Sequence, residues 1–328
     1  TAVGHEALKV NTAIGNTAFG KAAADSNTSA TGITAIGNRA LCSNTTGANN
    51  TAVGLCAMRT STTGANNTTV GMCSLFANTT GASNVAIGVE ASKTNTTGTA
   101  NVAVGKEAML ANTTGGSNVA IGQDTMKANT TASNNTAVGQ ASLNSNTTGH
   151  SNTAVGRASL IANTEADNGT AVGRNALVAN TTGNNNTAIG SGSAAATTTG
   201  TGNVSVGQAS FVTNTTGDSN VAIGRGSLYS NTTANEITAV GSCALFSNTT
   251  GTDNVAVGFC ALSCNTTGAK NVAMGYLAAA ANTTGPNNTA IGYKALLANT
   301  TGDQNTAVGA NAADSVTTAS HIVAIGFC

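Results

Sequence analysis

Short segments of the form T-A-V-G or V-A-I-G set the pattern of the chain. In each, two β-branched residues flank a small one and a Gly closes the group. A second apolar position, most often Leu, follows four residues after that Gly. Polar N-T-T-G segments then separate one group from the next. The closing Gly stands at Gly20, Gly37, Gly54, Gly71 and onward to Gly309 and Gly326, and every step is 17 residues. The consensus is N-T-A-V-G-x-x-A-L-x-x-N-T-T-G-x-x, as in Asn135 to Ser151. Counting from its first Asn, the fixed Gly is position 5, the Leu position 9 and the second Asn position 12.

A fixed period with no insertion or deletion means that each residue sits in register with its counterpart one repeat away. Seventeen residues are too few for a helical-pair repeat, which needs roughly 33. They suit one coil of an all-β, parallel β-solenoid, or β-roll, with one coil per repeat. Position 2 is always Thr or Val, and position 4 is Val, Ile or Met from Ile36 onward; such residues fit a pleated surface. A strand is therefore predicted over positions 2–4, and a second short strand over Ala40–Leu41 and its equivalents. Gly4 and Gly15 fall off the grid, so residues 1–16 read as an atypical, out-of-phase first coil and 17–328 as a continuous solenoid.

Strands alternate their faces. Thr34 and Ile36 share one face, Ala35 and Gly37 the other. The Val/Ile column and the Leu column (Leu41, Met58, Leu75, Met109, Leu143 and onward) are predicted to form a narrow core. Each coil would bury two or three large side chains, at roughly 1.5–3 kcal/mol each, with stacking supplying the rest. The Ala/Gly column is then an outer, smooth face that suits close approach by another backbone, in a side-by-side oligomer about a cyclic axis. Layers about 4.8 Å apart would make the gridded region about 90 Å long.

Composition sharpens this picture. Of 328 residues only 7% are charged and 3% aromatic, with 40 Gly, one Pro and no Trp; an ordinary chain is about 25% charged. Twelve basic residues balance twelve acidic ones, which argues against nucleic acid as a partner and against a charge-swollen disordered chain. No apolar run approaches the roughly 20 residues of a spanning helix, so membrane insertion is not expected. No signal peptide is visible, and the chain reads as a piece of something longer.

Three readings compete for the N-T-T-G corner. In the first, stacked Asn amides form hydrogen-bonded ladders and Thr hydroxyls satisfy turn backbone groups. The second is N-glycosylation, because N-x-[ST] recurs at Asn44, Asn78, Asn95, Asn112, Asn129, Asn146, Asn180, Asn214, Asn231, Asn248, Asn265, Asn282 and Asn299. The repeat creates that match automatically, and glycans on successive coils about 4.8 Å apart would crowd one another. The third is ice binding by a Thr array, although adjacent Thr residues on an extended chain face opposite ways.

Catalytic, cofactor and metal signatures are not evident, and no enzyme activity is expected. His5, His150 and His321 lie far apart and share no nucleophile-plus-carboxylate context. Glu90, Glu107 and Asp124 occupy variable, solvated positions, and Tyr229, Tyr276 and Tyr293 offer little for sugar stacking. Cys56, Cys73, Cys243, Cys260 and Cys328 all stand two residues after the fixed Gly. Cys56 with Cys73, and Cys243 with Cys260, are candidate disulfides one coil apart; alternatively each Cys replaces a small residue such as Ala141. Cys42 and Cys264 have no obvious partner, and the odd total leaves a free or intermolecular thiol.

N-V-A-I-G at Asn84–Gly88 and Asn220–Gly224 resembles the S-V-A-I-G motif of YadA-like trimeric autotransporter adhesin heads. The full unit, as in Thr170 to Asn186, is similar to repeats of phage and viral tail-fibre proteins. The resemblance covers nearly the whole chain, though 17 residues exceed that head's usual coil and the surplus falls at the N-T-T-G corner. It implies a left-handed coil, a trimer, and an extracellular, cell-surface or virion-fibre location. The expected function is a structural fibre or adhesin shaft, a homo-oligomer whose outer partner is a host-surface or glycan receptor. The alternative is a surface-binding module for a glycan, a receptor or ice along the Thr/Asn face.

Overall fold

The computed structural model describes residues 1–327; Cys328, one of the five position-7 cysteines, lies outside the described residues. The chain forms two compact units, Thr1–Asp167 and Asn168–Cys328. Each is a parallel β-solenoid with one three-residue strand per 17-residue coil, and no helix occurs among the described residues. In the first unit strands run from Ala2–Val3 and Thr17–Phe19 to Thr153–Val155; in the second, from Thr170–Val172 to Val323–Ile325. Pairing is in register throughout, as in Thr34↔Thr51, Ala35↔Ala52, Ile36↔Val53 and Thr187↔Val204, Ala188↔Ser205, Ile189↔Val206. The out-of-phase start joins the same sheet one residue short, pairing Ala2 with Ala18 and Val3 with Phe19.

The two strand faces are reversed from the sequence expectation. The Ala column points inward: Ala35, Ala52, Ala86 and Ala103 are fully buried, as are Thr69 and Ser205 where they replace Ala. The Val/Ile column points outward, with Ile36 39% exposed and Ile189 42%. The reason is width. Leu41, Met58, Leu75 and their equivalents fill the interior from the opposite wall, which leaves room for only a methyl group on the strand. Each coil thus buries one large side chain at this column rather than two or three.

That Leu column is not a second strand. Ala40–Leu41 lies in a turn, and Arg39 and Leu41 both have left-handed backbones, φ 57° and 51°. Alternating left-handed residues curl the chain tightly enough to return Leu to the interior. A left-handed conformation costs roughly 1–2 kcal/mol, and burying a Leu returns roughly 1.5–3 kcal/mol, so burial wins. Interlayer bonds persist through the turn: the Leu41 N–H donates to the Ala57 carbonyl at 3.0 Å. The fixed Gly has its own cause. At Gly54 φ is +139°, and a Cβ there would lie 2.5 Å from the Gly71 carbonyl oxygen, so neither conformation nor space admits a side chain.

Two buried Asn columns complete the core. At position 12 the amide nitrogen of each Asn donates to the amide oxygen of the preceding coil, as Asn44 to Asn27 at 3.0 Å and Asn265 to Asn248 at 2.8 Å. The same nitrogens close their own turns on Gly47 and Gly268 carbonyls. This is the ladder expected at the corner. The second column, at position 1, is a feature that the sequence reading missed. There the Asn67 backbone N–H donates to Asn50 Oδ1 at 2.9 Å, and Asn67 Nδ2 donates to the Gly81 carbonyl at 2.9 Å. Where the position-12 ladder breaks, polar atoms are orphaned: Ser61 leaves Asn44 Oδ1 and its own hydroxyl without partners, and Val316 leaves Asn299 Oδ1 bare.

Candidate interaction surface

With Ala, Leu and Asn inside, the outward strand face consists of positions 2 and 4. In both units these columns hold only Thr and Val at position 2, and only Val, Ile, Met or Phe at position 4. Position 2 is mostly half-buried and position 4 half to fully exposed. The result is a flat, charge-free stripe of β-branched side chains with one row per layer. Position 6, just past the fixed Gly, widens it where it is apolar: Leu55, Met72 and Val89 in the first unit, Phe259, Tyr276 and Tyr293 in the second, all exposed. The smooth Ala/Gly outer face expected from the sequence is therefore not an outer face. Its Ala residues are core, and the apolar stripe outside is built of the larger residues.

The Thr columns divide as their alternation requires. The first Thr of N-T-T-G turns its hydroxyl onto the turn backbone: Thr45 Oγ1 and the Thr45 N–H both donate to the Thr62 carbonyl, at 3.0 and 2.9 Å. The second, as at Thr46, Thr63 and Thr80, is exposed and forms a single outward Thr row. The Asn half of the expected Thr/Asn face lies in the interior.

The candidate glycosylation residues Asn44, Asn78, Asn95, Asn112, Asn129, Asn146, Asn180, Asn214, Asn231, Asn248, Asn265, Asn282 and Asn299 are all buried, none more than 1% exposed. Their Nδ2 atoms, the atoms a glycan would occupy, donate to turn carbonyls inside the coil, as Asn78 to Gly81 at 2.9 Å and Asn299 to Gly302 at 3.0 Å. This packing has no room for a sugar on those nitrogens. Cys56, Cys73, Cys243 and Cys260 stand as free, half-buried thiols, as does Cys42; Cys264 is free and exposed. No disulfide closes either candidate pair, because a parallel column holds its Cβ atoms near the layer spacing of about 4.8 Å, beyond the roughly 3.8 Å a disulfide favours.

Stacking also brings together residues that look scattered in the sequence. Ser133, His150 and Asp167 occupy position 16 of consecutive coils. Their contacts are structural: the Gly116 N–H donates to Ser133 Oγ at 3.0 Å, the Ser133 N–H to His150 Nδ1 at 3.0 Å, and the His150 N–H to Asp167 Oδ1 at 2.6 Å. A hydrolytic base accepts from a serine hydroxyl; here the imidazole Nδ1 accepts from a backbone amide. Thr201 and Asp218 follow the same rule in the second unit, with Asp218 Oδ1 and Asn235 Oδ1 as acceptors. The signal in the sequence is simply a polar residue recurring at position 16.

Outside the stripe the units carry different decoration. In the first, Lys127 Nζ bridges Glu107 at 2.6 Å and Asp124 at 3.2 Å, and Lys93 pairs with Glu90 at 2.8 Å. Hydrogen bonds from Lys127 and then Lys106 hold the Glu107 carboxyl below the usual range, and the bond to Glu107 raises Lys127. In the second, rings stack along the axis: Phe259 on Tyr276 with centroids 5.3 Å apart, Tyr276 on Tyr293 at 5.4 Å, and Tyr229 on Phe246 at 5.0 Å. These rings spend their faces on one another and turn their edges outward. No protein-family model matches this chain, and no curated protein sequence matches it either.

Proposed function

We propose that the chain is a structural shaft, an extracellular fibre or adhesin stalk whose copies associate side by side through the apolar strand face. The observation that carries this reading is the outward Val/Ile column. Nine or ten such residues per unit, each leaving roughly 60 Å² in water, make a stripe on the order of 500 Å², at the upper end of what a monomer exposes. Position 2 and the apolar part of position 6 enlarge it. A second copy has the same layer spacing, so its rows match row for row along the stripe, and no charge on positions 2 and 4 opposes the approach. Cyclic closure is the simplest assembly. A left-handed coil and a trimer, with a YadA-like or tail-fibre-like setting, belong to this proposal through the resemblance of the N-V-A-I-G segments.

Light scattering on the purified chain tests it. A mass of three chains is expected, and Ile87→Lys with Ile121→Lys, which place charges on the stripe without touching the core, should reduce it to one. A native monomer of 31.6 kDa with unaltered behaviour in the double variant would remove the proposal. The outward Thr row supports a second reading, a surface-binding module for glycan, receptor or ice. Thermal hysteresis that Thr63→Lys and Thr80→Lys abolish would favour it over the shaft.

A further inference from the structure

Position 7 carries Cys in two successive coils twice over, once in each unit. The four backbones share one conformation, with φ 54° at Cys56, 53° at Cys73, 58° at Cys243 and 53° at Cys260. A common φ sends the four Cα–Cβ bonds off the coil in the same way, so the side chains of each pair run side by side. Interlayer bonds fix the separation: the Cys73 N–H donates to the Leu55 carbonyl at 2.9 Å, and the Cys260 N–H to the Ser242 carbonyl at 3.0 Å. Layers joined in this way lie about 4.8 Å apart.

That distance defeats a disulfide, whose sulfurs sit about 2.05 Å apart, and all four thiols are free. It suits something else. Two thiolates on opposite sides of one metal ion, with metal–sulfur bonds near 2.3 Å, span about 4.6 Å. Among the described residues no three His, Cys, Asp or Glu side chains converge to hold a metal ion, so a tetrahedral site is not built. Thiolates select soft ions, and a linear two-sulfur site excludes ions that require four ligands. The thiols are half-buried rather than enclosed, which leaves an entry path. Burial, then the adjoining thiol, pushes Cys73 and Cys260 up, so both are protonated before a metal arrives.

We propose that Cys56–Cys73 and Cys243–Cys260 are two binding sites for a thiophilic monovalent cation of the Cu(I) or Ag(I) class. On loading, two S–H bonds break, two protons leave to solvent and two sulfur–metal bonds form. No electron is transferred, and each loaded pair carries one net negative charge. Arg59 and Lys93 lie near the first pair and suit that charge. Glycine and Leu occupy position 7 on either side of the second pair, at Gly226 and Leu277.

Anaerobic titration of the reduced full chain with Cu(I), against a competing chelator of known affinity, tests this. Two tight equivalents per chain are expected. Two linked thiols exceed one by about 10²–10⁴ in affinity, so Cys56→Ser or Cys73→Ser should remove one equivalent, and Cys243→Ser or Cys260→Ser the other. Cys42→Ser and Cys264→Ser, which alter unpaired thiols, should keep both. Equal losses in pair and control variants would overturn the proposal. So would a native protein four hydrogens lighter than its reduced mass, because the pairs would then be disulfides. X-ray absorption on the Cu(I) form adds a readout independent of stoichiometry: two sulfurs per copper supports the sites, and three or four overturns them.

Discussion

The two units share a backbone and a core and differ in what they place on the same outer positions. In Thr1–Asp167 positions 7 and 10 hold charges in successive coils, Glu90 with Lys93 and Glu107 with Asp124 and Lys127. In Asn168–Cys328 positions 6 and 10 hold rings, Phe259–Tyr276–Tyr293 and Tyr229–Phe246. Both decorations use the layer spacing, one for ion pairs and one for ring stacking. Neither touches the interior, where Ala, Leu and two Asn columns repeat in both. The outer surface is thus free to vary without cost to the fold. Position 4 does not vary in kind: it stays apolar and outward in both units. Packing inside the coil does not demand that, which is why the stripe reads as an interface.

If the core is common to both units, core substitutions must act alike in each. The largest effect is expected at the fixed Gly. Gly139 has φ +127° and Gly207 φ +135°, and at each an added Cβ would lie 2.7 Å from the next layer's backbone. Gly139→Val and Gly207→Val should each leave the chain insoluble; soluble protein with unchanged circular dichroism would refute the close approach. Next come Leu143→Ala and Leu262→Ala, both fully buried. Each should cost about 2–5 kcal/mol, read as lost hydrogen-exchange protection in the flanking layers, with similar values in the two units. A loss confined to one unit would break the comparison.

The Asn ladder gives smaller effects of both signs. Asn112→Ala strands the ladder partners Asn95 Oδ1 and Asn129 Nδ2 and should cost about 1–3 kcal/mol. Ser61→Asn should do the reverse. It supplies the donor that Asn44 Oδ1 lacks and should raise local stability by about 1 kcal/mol; a destabilised variant would contradict the ladder geometry.

The smallest effect separates the units. Glu107 has a lowered carboxyl pKa in the folded chain. Its contribution is therefore present above the ordinary carboxylate value of about 4.3 and is lost as pH falls through the lower folded value. Protection around Lys106–Lys127 should weaken slightly below about pH 4, while the ring-bearing layers from Phe259 to Tyr293 should not respond. Equal responses would show that the ion pairs contribute nothing.

Much of this was legible in the residues. The unbroken 17-residue step specified parallel, in-register layers, and N-T-T-G specified the Asn ladder and the role of the first Thr. The direction of the strand was not legible. Alternation tells which of Thr34, Ala35 and Ile36 share a face, but neither face of T-A-I-G carries a charge to mark it as outer. The larger residue is usually inside; here Leu41 arrives from the other wall and decides the matter. The left-handed Leu was hidden because nothing in A-L marks a positive φ. The position-1 Asn column stood in the consensus, but beside a strand its inward direction depends on the same choice of face. Ser133, His150 and Asp167 were within reach, since the period alone stacks them, once position 16 is read as a column.

Layering itself is most directly tested by distance. Lys106 and Gln123 occupy position 6 of consecutive coils and both are exposed. Nitroxides placed there, in a variant whose native cysteines are Ser, should lie within about 10 Å of one another given a layer spacing near 4.8 Å, and give a strongly dipolar-broadened electron paramagnetic resonance spectrum. A sharp, unbroadened spectrum, with the two labels 20 Å or more apart, would contradict the account.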